Sequence, residues 1–216
     1  IEIAGSMGTG TATTKSAIDL GAGTLGWKTG SSVTSSSGNI TLVGDTLSVD
    51  SSAVLQGSGA LTIKPETSGT TIGIAGGSGT LSLPASYFST NFGNGFSGIT
   101  VGNASAGEVN FGTAALTYRD SLTVKTAGTI KLPAGVSITG AASEHASLVL
   151  WANADGTDGG YVQLANSASS PVAPITTNGG GLWIGGGSGT ATWRPYAGAT
   201  AAADLTVGDG FAKGTS

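Results

Sequence analysis

Three stretches share one pattern: Ser37-Gly-Asn-Ile-Thr-Leu42, Ser58-Gly-Ala-Leu-Thr-Ile63 and Ser78-Gly-Thr-Leu-Ser-Leu83. Their serines stand 21 and then 20 positions apart. In each, a Ser-Gly corner opens a short run in which aliphatic residues alternate with small ones, the period-two signature of a half-buried strand. A recurrence of that length predicts a solenoid. Each coil of about 20 residues would carry three short strands and stack on the next at about 4.8 Å.

The same texture extends outward from these repeats. Short apolar-alternating segments run from Ala17 to Leu20, Asn39 to Val43, Thr46 to Val49, Leu61 to Lys64, Thr71 to Ala75, Leu81 to Leu83, Ile99 to Val101 and Glu108 to Phe111. They continue at Leu122 to Lys125, Thr129 to Leu132, Val136 to Thr139, Leu148 to Trp151, Tyr161 to Leu164, Pro174 to Thr176 and Gly181 to Ile184, separated by clusters of Gly, Asn, Asp and Ser. Helical periodicity is nearly absent, and only Ala199 to Leu205 suggests a turn or two of helix. Sandwiches and barrels join longer strands through two-residue Asn-Gly or Asp-Gly hairpins. These strands are too short and too many for that, so the expectation is an all-β solenoid over residues 1–216 as one segment, less regular over 191–216.

Composition agrees. The 216 residues include 39 glycines and no cysteine, and 38% are hydrophobic, too many for a disordered linker. A single coil cannot bury enough side chains to offset the ordering of its backbone, so such a chain has to stack. Glycine suits corners that need positive φ, and small Ser and Thr faces let neighbouring strands sit close. Eight Lys and Arg against twelve Asp and Glu leave a net charge of -4, which excludes the continuous positive stripe of a nucleic-acid binder. No apolar run is long enough for a transmembrane helix. The opening Ile1-Glu2-Ile3 has neither an initiator methionine nor a signal-peptide pattern, so a processed or excised part of a longer chain is expected.

Gly57-Ser-Gly-Ala-Leu-Thr-Ile-Lys-Pro65, Thr71-Ile-Gly-Ile-Ala-Gly-Gly77 and Gly95-Phe-Ser-Gly-Ile-Thr-Val-Gly102 resemble the filamentous-haemagglutinin-like adhesins, large bacterial exoproteins of two-partner secretion. Leu148-Val-Leu-Trp-Ala-Asn-Ala-Asp-Gly156, Gly160-Tyr-Val-Gln-Leu164 and Ile175-Thr-Thr-Asn-Gly-Gly-Gly-Leu-Trp-Ile-Gly-Gly-Gly187 continue the resemblance. It implies a right-handed parallel β-helix on the outer surface of a Gram-negative-type cell. The family's Asn-Pro-Asn-Gly and Asn-Pro-Asn-Leu secretion motifs are missing, which implies an interior shaft segment.

Chemistry-bearing candidates are few. Asn153-Ala-Asp155-Gly-Thr-Asp158-Gly-Gly offers hard oxygen ligands around a glycine bend, so Asp155 and Asp158 are the candidate calcium ligands. The loop lacks the bidentate glutamate of an EF-hand, and a β-turn between flanking strands is the favoured reading. Two Gly-x-Gly-x-x-Gly matches, Gly21 to Gly26 and Gly93 to Gly98, precede strand-like rather than helical sequence and read as turns. His145, the single histidine, sits in a polar loop without a nucleophile motif. Asp45 with Asp50, and Arg119 with Asp120, could place carboxylates on one face as in a pectinase-like enzyme. Thr-rich strands raise ice binding, although Thr is mixed with Ser, Ala and Asn. Trp27, Trp151, Trp183 and Trp193 are candidate glycan-stacking platforms, but Trp151 and Trp183 follow strand patterns and are expected to be core or stacked side chains. Asn39 and Asn103 open Asn-x-Ser/Thr sequons of little weight.

The expectation is a non-enzymatic structural or adhesive shaft segment, extracellular or on a bacterial surface, without catalytic residues or a required cofactor. Its expected partners are further β-helical segments end to end and a host surface, neighbouring cell or glycan. The competing class is a polysaccharide-active β-helix lyase or hydrolase, with an ice-binding solenoid behind it.

Overall fold

The computed structural model describes residues 38–133, 135–157, 159–164 and 175–186, the strand Ser32–Ser35, and the backbone of the strands Glu2–Ile3, Ser6–Thr9, Ser16–Asp19, Thr24–Trp27 and Trp193–Arg194. The helix suggested at Ala199 to Leu205 lies outside the described residues, as does most of 191–216. Among the described residues the chain is all-β apart from a short helical turn containing the π-helix Tyr87–Asn91.

The longest sheet holds seven strands in the order Ser16–Asp19, Ile40–Val43, Ala60–Lys64, Gly98–Gly102, Leu122–Lys125, Leu148–Ala152 and Leu182–Gly186. A sheet of six runs Leu81–Leu83, Ile72–Ile74, Val109–Phe111, Ile130–Lys131, Val162–Gln163 and Trp193–Arg194. Three sheets of three complete the described strands: Glu2–Ile3 with Thr24–Trp27 and Thr46–Val49; Ser6–Thr9 with Ser32–Ser35 and Val54–Gly57; Leu116–Tyr118 with Ile138–Gly140 and Ile175–Thr176. Every pairing among the described strands is parallel. Except for Leu81–Leu83 on Ile72–Ile74, each pairing joins a strand to the third strand after it in the chain.

Parallel neighbours need a crossover of a dozen or more residues, and the offsets supply it. Ile40 pairs with Leu61, 21 positions on; Leu61 with Ile99, 38 on; Ile99 with Leu122, 23 on; Leu122 with Leu148, 26 on; and Leu148 with Leu182, 34 on. Those same residues form an in-register inward column, beside a second made by Leu42, Ile63, Val101, Val124, Leu150 and Ile184. The six-stranded sheet adds Ile72, Val109, Ile130 and Val162 in line, and Leu116 and Ile138 join from a three-stranded sheet, all within one apolar cluster. Alternation decides which residues enter it: Leu61, Ile63, Leu122 and Val124 are buried, and Thr62 and Thr123 between them are not.

The third copy of the serine-glycine repeat departs from the first two. Leu81–Leu83 does not join the long sheet; it pairs with Ile72–Ile74 at an offset of nine, Ile72 beside Leu81, through the six residues 75–80. Glycine makes so tight a return possible. Ala75 and Gly76 take φ of 53° and 87°, a Cβ on Gly77 would collide with the Asn110 carbonyl, and one on Gly79 with the Ile72–Gly73 backbone. The Ala75 amide donates to the Leu83 carbonyl at 2.9 Å, and the Asn110 side-chain amide to the Ser78 carbonyl at 3.0 Å.

Leu81–Leu83 packs against Thr46–Val49, and the aromatics that follow fill the space beside it. Phe88 meets Phe92 edge to face at 5.6 Å, and Tyr87 lies 5.7 Å from Phe92. The Val49 amide donates to the Tyr87 hydroxyl at 2.8 Å, and the Asn91 side chain donates to the carbonyls of Asp50 and Ala53 at 2.8 and 2.7 Å. The excursion ends at Gly98–Gly102, the strand that continues the long sheet after Ala60–Lys64.

Two substitutions measure what holds this arrangement. Leu122→Ala should cost about 2 to 5 kcal/mol, as for any large-to-small change in a packed core. Gly77→Ala, in a loop, should cost more than about 2 kcal/mol because the new methyl meets rigid backbone. Urea denaturation of both variants is the measurement, and a Gly77→Ala cost near zero would show that the 75–80 loop is not held as described.

Candidate functional site

The alternation that buries one side of the long sheet puts a regular surface on the other. Thr41, Thr62, Thr100 and Thr123 are register partners in sequence, each half-buried, and the column continues through Val149 to Trp183. Neighbouring strands stand about 4.8 Å apart, so the four hydroxyl and methyl pairs recur at that interval. A shorter column of the same kind, Thr117, Thr139 and Thr176, lies on another sheet.

Beside the long threonine column, Lys125, Trp151 and Gly185 are in line on successive strands. The Lys125 ammonium sits 4.1 Å from the centroid of the Trp151 ring, a cation–π contact. Trp151 meets Trp183 at 5.9 Å with 74° between the ring planes. Trp183, at 45% exposure, is the one large apolar side chain left exposed among the described residues. The expectation that Trp151 and Trp183 are core or stacked side chains is corrected as to the core: both stand on the outward side, because they alternate with the buried Leu148 and Leu150 and with Ile184, which packs against the core, and their rings meet edge to face.

The turns are stapled by polar side chains that reach the neighbouring strand or turn. Asp45 is almost buried, and its carboxylate accepts the amides of Glu66 and Thr67 at 3.1 and 3.0 Å and the hydroxyls of Thr67 and Thr70 at 2.6 and 3.2 Å. The Thr67 hydroxyl is the chief reason its carboxyl is held below the usual aspartate range. Asn39 accepts the Ala60 amide at 2.9 Å, and Ser121 and Ser147 accept the amides of Ser147 and Gly181 at 3.1 and 3.0 Å. Thr126, fully buried, donates to the Ala106 carbonyl at 3.0 Å, and Asn178 donates to that of Gly140 at 2.8 Å.

The candidates from the sequence fall mostly among these staples. Asp155 is exposed and closes its own turn, accepting the Thr157 hydroxyl at 2.7 Å and amide at 3.2 Å, and that hydroxyl holds its carboxyl below the usual range. Asp158 lies outside the described residues. Among the described residues no three His, Cys, Asp or Glu side chains converge on a cation position. The flanking strands Leu148–Ala152 and Val162–Gln163 belong to different sheets, so the loop joins sheets rather than a hairpin. Gly93 to Gly98 runs into a strand, with Gly95 at φ 116°, and Gly21 to Gly23 lie outside the described residues.

Asp45 and Asp50 are not turned to one task, because Asp50 accepts the Ser52 amide and hydroxyl at 3.1 and 3.2 Å. His145, at φ 50°, donates from Nδ1 to the Asn178 carbonyl at 2.9 Å. Asn103 accepts the Ser105 amide at 2.9 Å within its own turn. The side chains of Trp27 and Trp193 lie outside the described residues.

One grouping was not visible in the sequence. Asp120, almost buried, accepts the Gly95 amide at 3.0 Å; burial pushes its carboxyl up, Glu144 adds to the rise, and the amides of Gly95 and Phe96 with Arg119 oppose it. Glu144 in turn accepts the Asn94 side-chain amide at 3.0 Å. Residues 94, 120 and 144 come from successive turns, and no local motif links them. Both carboxylates are occupied in holding the 93–97 turn.

No helix among the described residues is long and apolar enough to cross a membrane. Comparison with family models, with curated proteins and with solved structures gives no match to the chain.

Asp45 and Asp120 should respond to pH with opposite signs. The lowered carboxyl of Asp45 stabilises the fold above the ordinary aspartate range and loses that contribution as pH falls through its folded value. The raised carboxyl of Asp120 contributes fully below the ordinary value and loses that contribution as pH rises through its folded value. Asp45→Asn should therefore lower stability at neutral pH by about 1 to 3 kcal/mol, with the deficit shrinking in acid. Asp120→Asn should match or exceed the wild type at neutral pH and fall behind it in acid. Thermal melts of the three proteins between about pH 7 and pH 3 read both trends.

Proposed function

We propose that the chain is a structural, non-enzymatic shaft segment of a large bacterial cell-surface or secreted protein of the filamentous-haemagglutinin-like kind. Its sheets are then the faces of a right-handed parallel β-helix. The observation that carries this reading is the pairing rule: parallel strands, each beside the third strand after it in the chain. On this reading the offsets of 21, 23 and 26 are single coils slightly longer than the expected 20 or so, and those of 38 and 34 are coils carrying insertions.

The mechanism is mechanical. Further β-helical sequence continues the sheets at either end, and the outward columns meet a neighbouring surface or glycan. Sheet edges of parallel strands offer the amides and carbonyls through which such a continuation pairs.

A tandem fusion tests the reading. Two copies joined at the ends of the chain should give small-angle scattering with an unchanged cross-section and a maximum dimension longer by about 40 Å. A pair of independently tumbling bodies, or a wider cross-section, would count against a shaft.

The register of Thr41, Thr62, Thr100 and Thr123 favours one second reading, a threonine column that orders water at an ice surface. Thermal hysteresis in the isolated chain, abolished by Thr100→Tyr, is its expected outcome. Freezing without hysteresis would leave the column as part of the shaft's surface.

A further inference from the structure

We propose that Trp183, Trp151 and Lys125 form a saccharide-binding shelf on the outer face of the long sheet. Trp183 and Gly185 share one side of their strand, two residues apart. A Cβ on Gly185 would come within 2.7 Å of the Trp183 Cζ2 and 2.9 Å of its Cη2. The indole therefore lies down over the glycine, one face toward the sheet, which leaves Gly185 buried and Trp183 at 45% exposure. Trp151, on the adjacent strand, meets it at 74° with centroids 5.9 Å apart. The two rings make an L: a floor presented to solvent and a second ring standing at its edge.

The surroundings are those of a ligand that is apolar on one face and hydroxylated at its rim. Lys125 covers the other part of the Trp151 ring at 4.1 Å and has no carboxylate partner among the described residues, whereas Lys131 is engaged with Glu108. Its ammonium keeps donors for a hydroxyl or carboxylate of the ligand. Val149 and Thr123 extend the floor along the column, one apolar and one hydroxyl-bearing.

Size selects the occupant. An indole offers at most about 200 Å² of contact, against the roughly 1,000 Å² that a specific protein–protein interface needs, so a second copy of the chain or another folded protein is a poor fit. A pyranose ring presents a patch of C–H bonds that matches one indole face, and its equatorial hydroxyls reach outward toward Lys125 and Thr123. The shelf deepens the glycan contact of the shaft reading and rests on that reading for its class of partner, while its geometry requires only that the strands from Leu122 to Gly186 fold.

The test is a glycan array carrying neutral β-linked glucans, chitin oligomers, uronic-acid oligomers and animal-type glycans. It is probed with the wild-type chain, Trp183→Ala, Gly185→Ala and, as a control on a different sheet, Thr139→Ala. The hit is then titrated by tryptophan fluorescence, and circular dichroism confirms that each variant folds. Wild type and Thr139→Ala should bind alike, Trp183→Ala about tenfold or more weakly, and Gly185→Ala also weakly although both rings remain, since its methyl lifts the indole from the sheet. Absence of any bound saccharide, or Trp183→Ala binding within about twofold of wild type, overturns the proposal. So does loss of self-association rather than sugar binding in Trp183→Ala by sedimentation. None of these outcomes alters the scattering of the tandem fusion, so the shelf and the shaft can fail separately.

Discussion

The structure depends on register between short parallel strands. A strand of two to five residues cannot persist alone, and here each is held by neighbours that come from 21 to 38 positions away along the long sheet. A slip of one residue would turn Leu61, Ile99 and Leu122 to the outside and Thr62, Thr100 and Thr123 to the core. The inward column and the outward threonine column are thus two views of one constraint. Burying the first orders the second, whether or not the threonines themselves gain anything from being aligned.

Because the strands are so short, much of the chain is turn, and the turns have to be held by something other than the ladders. Polar side chains do this by reaching the neighbouring strand or turn: Asp45 to residues 66–70, Asn39 to Ala60, Thr126 to Ala106, Asn178 to Gly140. Each satisfies backbone groups that would otherwise be left unpaired as the turn is covered. This use of Asp, Asn, Ser and Thr explains how the acidic residues with functional overtones came to be occupied. Asp45, Asp50, Asp120 and Glu144 are each engaged in shaping a turn. Trp183 is different, since nothing in the fold requires a large ring to lie in solvent.

The sequence was most legible where alternation and spacing act locally. Leu61 to Lys64, Leu122 to Lys125 and Leu148 to Trp151 could be read as strands because each carries apolar residues two apart beside a glycine or serine turn, and all three are strands of the long sheet. Val54–Gly57 and Leu116–Tyr118 carry too weak a signal to be read as strands, each having only a pair of apolar residues beside polar or charged neighbours. The repeat at Ser78 was legible as a strand but not in its partner. Its sequence equals that of its two predecessors in pattern, and only the glycine loop at 75–80, folding back on Ile72–Ile74, diverts it to another sheet.

The sequence by itself determined that the described chain is mostly β, though not the helical turn at Tyr87–Asn91, that its strands are short, and that they need neighbours distant in the chain. Those follow from residue-to-residue alternation and from glycine spacing, which are properties of a few adjacent positions. Which strands become neighbours, which threonines fall into line, and that residues 94, 120 and 144 meet were decided only by the tertiary structure. So was the placing of Trp151 beside Trp183, 32 positions apart in the chain and on adjacent strands. The physical reason is that connection length is not fixed by any local rule. A long connection such as 75–97 takes the offset from 21 to 38 without altering the alternation on either side, so partners can be identified only once the strands have paired.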